Sequence, residues 1–130
     1  MSFKNLVPML SVADVDRTVA FYQDALQFEI MHRYENNGHV QWAFVKSGHT
    51  ELMFARSDVA QSVLPLARKE DLVLYFYPDD VEALHTSLKT RGYPVSELHL
   101  TFYGMKECVL TDPDGYHLSF GQATEASPTA

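Results

Sequence analysis

Val12-Ala13-Asp14-Val15-Asp16-Arg17-Thr18-Val19-Ala20-Phe21-Tyr22 is the stretch on which the reading of the fold turns. Val15, Val19, Tyr22 and, further on, Leu26 recur at helical spacing, which predicts one apolar stripe on a helix of about three turns. Asp14 stands where a short side chain can accept from the first free backbone N–H groups, and Asp16 suits the positive end of the helix dipole. Before the helix, the apolar run from Leu6 to Val12 reads as a strand, with Pro8 confining it to an edge or an unusual pairing. After it, Phe28 to Tyr34 reads as a strand, Asn36-Asn37-Gly38 as a hairpin turn, and Val40 to Lys46 as the returning strand. Ser47-Gly48-His49 is a second turn, and Thr50 to Ala55 a further strand. The order is β-α-β-β-β.

The same order follows in the second half. Arg56 to Asp71 holds Pro65 and several charges, with Val59, Val63 and Leu66 spaced for one short linking helix. Leu72 to Tyr77 reads as a strand, and Asp79 with Glu82 resembles a capping box. Val81, Leu84 and Leu88 then form a helical stripe that ends at Gly92. Val95 to Leu100, Lys106 to Thr111 and Tyr116 to Phe120 are three more strand candidates. Thr111-Asp112-Pro113-Asp114-Gly115 is a turn in which proline sets one φ and glycine tolerates a positive one. Val7 and Val73, Asp14 and Asp80, and Val15 and Val81 are each 66 residues apart, which reads as an internal duplication.

Composition narrows the functional classes. A chain of 130 residues, 46% hydrophobic and 21% charged, fits one globular domain with a real core. Its net charge is −7, and no stretch gathers basic residues into a patch that could track phosphates, so nucleic acid is not an expected partner. The acidity serves solubility, or an acidic cleft for a cationic ligand. Cys108 is the single cysteine, which excludes an intramolecular disulfide and a cysteine-rich zinc site. It lies in an apolar stretch, as a buried inert thiol does. No segment approaches the roughly 20 apolar residues that span a bilayer, and the first residues carry no signal-like run; the expectation is a cytoplasmic protein without a membrane partner.

The segment Val12 to Tyr22, together with Asp112-Pro113-Asp114-Gly115-Tyr116 before the last strand, resembles the two signatures of the glyoxalase/bleomycin-resistance/dioxygenase (vicinal oxygen chelate) superfamily. The resemblance runs from about Leu6 to Gly121. It implies an α+β fold in which two βαβββ modules form an open, half-closed mixed β-barrel with helices outside, around a cleft commonly completed in a homodimer. The corresponding boundaries are a single domain over 1–121, with module one at 5–56, a linker at 57–71 and module two at 72–121, followed by a flexible tail at 122–130.

Enzymes of that family hold a metal with four ligands, two from each module. On this sequence those places carry Val7, Met53 or Glu51 in its stead, Val73, and Ser119 with His117 two residues before it. A hydrocarbon offers no lone pair, and a thioether and a hydroxyl are poor ligands for a hard divalent ion. The expectation is therefore no metal, no cofactor, and neither glyoxalase nor extradiol chemistry. The resemblance then points to the metal-free, bleomycin-resistance-type members, which sequester a small molecule.

Trp42, Phe44, Tyr75, Tyr77, Phe102 and Tyr103 would stack on an aromatic ligand, and the net charge would favour a cationic one. The ligand-binding set expected from sequence is Trp42, Phe44, Glu51, Met53, Tyr75, Phe102, Tyr103, His117 and Ser119. For each aromatic the alternative is a core side chain, and for His117 a packed structural histidine. His32, His39, His49, His85 and His99 follow no metal-ligand spacing and read as solvated or packed. Glu51 is the one carboxylate that an inward register would bury. Two other functions stay open: a glyoxalase-like lyase or isomerase with a displaced metal or with Glu51 and His117 as an acid–base pair, and a scaffold whose cleft is filled by its own side chains.

Overall fold

A computed structural model describes residues 1–57 and 72–124. The linking segment with Val59, Val63 and Leu66 lies outside the described residues, as does the tail beyond Thr124. The chain divides into two compact units, Met1–Ala67 and Arg68–Ala130, and each is taken by itself.

In the first unit, β1 (Met9–Val12) leads to α1 (Val15–Leu26), then to β2 (Glu29–Asn36), β3 (His39–Ser47) and β4 (Thr50–Arg56). The sheet order is β1-β4-β3-β2, with β1 parallel to β4 and the other pairs antiparallel. Asp14 caps α1, its side chain accepting from the Arg17 backbone N–H at 3.1 Å. The chain leaves the helix through Gln27 in the left-handed region. β1 is shorter than the run Leu6 to Val12 suggested. The stretch up to Pro8 has no ladder partner of its own, but the Pro8 carbonyl accepts from the Met53 N–H at 2.9 Å. Val15, Val19 and Tyr22 bury the stripe of α1 against Leu10, Val12, Ala43, Val45, Leu52 and Phe54. Tyr22 meets Phe54 at 4.9 Å and Phe28 edge-on at 5.8 Å between ring centroids.

The second unit repeats the plan. β5 (Val73–Phe76), α2 (Val81–Thr90), β6 (His99–Leu100), β7 (Met105–Thr111) and β8 (His117–Ala123) form a sheet of order β5-β8-β7-β6. The core gathers Val81, Leu88, Cys108, Leu110, Leu118 and Phe120, with Phe76 stacked on Phe120 at 5.4 Å. Neither four-stranded sheet closes on itself. The α+β class and the pair of βαβββ modules are those expected from the sequence.

The 66-residue spacing extends to hydrogen-bond register. Met9 pairs with Met53 and Tyr75 with Ser119; Leu10 pairs with Phe54 and Phe76 with Phe120. Both helices begin at the same relative position, and both caps are aspartates, Asp14 and Asp80. The cap of α2 is thus Asp80, which accepts from Ala83 N–H at 3.0 Å, and not Asp79 in a box with Glu82. Glu82 turns instead to the ammonium of Lys106.

Two other readings change. Val95 to Leu100 yields only the two-residue β6, because Ser96 is diverted: its N–H donates to the Val109 carbonyl and its hydroxyl accepts from the Val109 N–H. β8 runs on to Ala123, past Phe120, where the expected strand ends. There the Gln122 side chain donates to the Asp79 carbonyl and accepts from the Val81 N–H, tying the strand to the start of α2.

Candidate functional site

Strand alternation gives each sheet a face buried under its helix and a face free of it. On the helix-free face of the first unit, Phe44 of β3 stands opposite Met53 of β4, and Met53 lies beside Met9 of β1. Trp42 stands between Ala55 and Tyr34. Trp42 and Phe44 have ring centroids 6.4 Å apart, and His32 lies edge-on to Phe44 at 6.3 Å. Trp42, Phe44, Glu51 and Met53 are all partly exposed, so none of the four is swallowed by the core. Glu51 accepts from the Asn5 amide. This face is apolar and aromatic, suited to one side of a flat ring.

The helix-free face of the second unit differs in chemistry. Tyr75, His117 and Ser119 share it, with Tyr75 paired to Ser119 and Val73 to His117. Glu107 of β7 stands opposite Gly121 of β8 and beside His99 of β6. Although only 7% exposed, Glu107 does not belong to the apolar core. Its Oε2 accepts from the hydroxyls of Tyr75 and Tyr103, each at 2.6 Å, and its Oε1 lies 3.8 Å from His99 Nε2. Burial and the bond to Glu107 raise the Tyr75 phenol far above its ordinary 10.0. For Tyr103 the bond to Glu107 comes first and burial second, again raising the phenol. Both therefore stay protonated donors throughout the neutral range. Phe102, in the turn between β6 and β7, is fully exposed and meets Tyr103 edge-on at 5.0 Å. His117 Nδ1 lies 3.4 Å from the Thr111 hydroxyl. On the opposite, helix-covered face, burial pushes the Cys108 thiol up to about 11, as expected of an inert thiol.

The strand glutamate that is buried on a helix-free face is thus Glu107 rather than Glu51; Asp112, also buried, lies in the turn before β8. Sequence reasoning missed Glu107, along with the role of His99 and Gly121. A signal existed: Cys108 and Leu110 are apolar and alternate, so Glu107 and Val109 must face the other way. The proposed acid–base pair, Glu51 and His117, draws its members from different units.

The donor set for an inherited metal does not fit. Val7 precedes β1, Val73 is half exposed in β5, and neither has a lone pair; Met53 and Ser119 are weak donors. Among the described residues no three His, Cys, Asp or Glu side chains gather where they could hold an ion.

Comparison with known proteins agrees with this architecture. The structure of TnmS3, an antibiotic binding protein from Streptomyces sp. CB03234, superimposes with a TM-score of 0.76 at 23% identity, covering 95% of this chain and 99% of that one. TioX from Micromonospora sp. ML1 gives 0.80 at 18%, covering 94% and 100%. The bleomycin resistance determinant encoded on the transposon Tn5 gives 0.69 at 22%, covering 93% and 98%. At these identities the likeness is one of fold. A sequence search of curated proteins gives no match. The model of the Glyoxalase/Bleomycin resistance protein/Dioxygenase superfamily matches residues 6–120, and the chain belongs to that superfamily.

Proposed function

We propose that this protein is a metal-free binder that sequesters a planar aromatic small molecule and leaves it chemically unchanged. The observation that carries the reading is the pair of helix-free sheet faces. They present Trp42, Phe44, Met53 and Tyr75, with Phe102 and Tyr103 exposed in the turn before β7, while the places that the family resemblance marks for metal ligands carry Val7, Met53, Val73 and Ser119. Partly exposed rings on a rigid sheet cost little to order and offer flat apolar area, which is what a planar guest needs. A Lewis-acid or oxygen-activating step needs several converging donors, and these residues do not provide them. Similarity in fold to an antibiotic binding protein and a bleomycin resistance determinant supports the same reading. Glu51 on the face of the first unit, and His117 and Ser119 on that of the second, would each orient a guest on their own face by hydrogen bonding. The reading includes a homodimer in the cytoplasm, with neither nucleic acid nor membrane as partner; among the described residues no helix is long and apolar enough to cross a membrane.

Trp42 is the only tryptophan, so its fluorescence reports on one face alone. Titration with a panel of planar compounds, bleomycin-type glycopeptides included, is expected to produce saturable quenching and a rise in melting temperature. Stabilisation by a divalent cation at stoichiometric occupancy, with no response to any planar compound, would replace this reading by that of a lyase.

A further inference from the structure

We propose that the Glu107 cluster of the second unit is a receptor for an organic ammonium group. The inference builds on the binding function above by naming the charged group that a guest presents, but it concerns a site whose residues all lie in the second unit.

Four observations carry it. First, Glu107 is almost fully buried, and among the described residues no fixed cation lies against it. Lys106, its neighbour in the chain, turns to Glu82, and His99 stays beyond hydrogen-bond reach at 3.8 Å. Its close hydrogen-bond donors are two neutral phenols, which supply no counter-charge, and a ligand cation would supply one. Second, both phenols converge on Oε2, leaving Oε1 with no hydrogen bond among the described residues and two lone pairs to offer.

Third, the surroundings are aromatic. Tyr75 and Tyr77 have ring centroids 5.0 Å apart, as do Phe102 and Tyr103, and Tyr77 and Phe102 are largely or wholly open to solvent. Ring faces attract a weakly hydrated alkylammonium, whereas a metal ion demands a shell of oxygen or nitrogen donors that one carboxylate cannot fill. Fourth, the cluster needs space that only glycine leaves. A Cβ on Gly121 would stand 1.8 Å from the Tyr75 hydroxyl oxygen, so the phenol reaches Glu107 across a position kept bare.

The test compares choline with its uncharged isostere 3,3-dimethylbutanol on the whole 130-residue chain, read by amide shifts of Glu107 and Gly121 in nuclear magnetic resonance. Choline is expected to bind at least about tenfold more tightly than the alcohol. Glu107→Gln is expected to abolish that preference. Tyr77→Ala changes an exposed side chain that folding does not require, and should weaken choline several-fold even if Glu107→Gln fails to fold. Equal affinity for choline and the alcohol, or choline binding unaltered in Tyr77→Ala and in folded Glu107→Gln, would overturn the assignment. Quenching of Trp42 by planar compounds is a separate readout: its persistence without a choline preference refutes the ammonium site alone, and its absence alongside one refutes the aromatic-guest reading alone.

Discussion

The two units share one backbone plan and present opposite chemistry on it. Where the first unit sets Trp42 across from Ala55, the second sets Glu107 across from Gly121, and where the first has Met9 beside Met53, the second has Tyr75 beside Ser119. The covered faces changed far less: Phe54 and Phe120 hold the same place in register, as do Val15 and Val81. A buried face is held by close packing against its helix, so its residues exchange only for others of similar volume. The open face carries no such constraint, and there the two copies are free to specialise, one towards flat apolar contact and the other towards charge.

The strongest way to sharpen the comparison is to cut both cores at their shared place. Phe54→Ala and Phe120→Ala each delete a ring that is at most 2% exposed and should cost about 3–5 kcal/mol in urea denaturation. A loss below about 1 kcal/mol in either would show that the two sheets are not covered alike.

Gly121→Ala breaks the comparison from the other side, by giving the second unit the alanine that the first already has at Ala55. The new methyl group meets the Tyr75 hydroxyl, so the ring must swing off Glu107, at about 1–3 kcal/mol. Alkaline titration followed by ultraviolet absorbance checks the cause. In the native protein Tyr75 and Tyr103 ionise above their ordinary 10.0. A phenol raised in this way stabilises the fold fully below its unfolded value, and that contribution is lost as pH rises through the folded one. Native stability should therefore fall as pH climbs past about 10, and less steeply in Gly121→Ala, whose Tyr75 returns towards the ordinary range. An unchanged Tyr75 titration in the variant would show that its hydrogen bond to Glu107 is not what holds the proton.

The smallest effects concern the caps. Asp14→Ala and Asp80→Ala remove equivalent bonds to the third residue of each helix, and each should cost about 1 kcal/mol by thermal or chemical melting. A clear inequality between them would show that the two helix starts, alike in geometry, are unlike in energy.

Much of this was legible in the residues because it depends on local rules. The helix from Val15 follows from a stripe and an aspartate, the hairpin at Asn36-Asn37-Gly38 from turn chemistry, and the duplication from the spacing of Asp14 and Asp80. Trp42, Phe44 and Met53 share one face of the first sheet, a relation that strand alternation and the β3–β4 register fix together. What local rules misjudged was governed by partners distant in the chain. The strand expected from Val95 shrinks to His99–Leu100 because Ser96 is claimed by Val109, and β8 outruns the expected end at Phe120 because Gln122 finds Asp79 and Val81.

Among the described residues, the sequence by itself determined the strand–helix–three-strand order of each unit and which faces are apolar, since these are set by propensity, period and capping within a few residues. Only the tertiary structure decided which of two strand glutamates is buried. Glu51 and Glu107 are both strand glutamates beside apolar neighbours, and nothing within either strand distinguishes them. The difference comes from Tyr75, 32 residues away from Glu107, whose hydroxyl passes over the bare Gly121 to reach it. A carboxylate stays charged out of water only where donors converge on it, and convergence is a property of the folded chain.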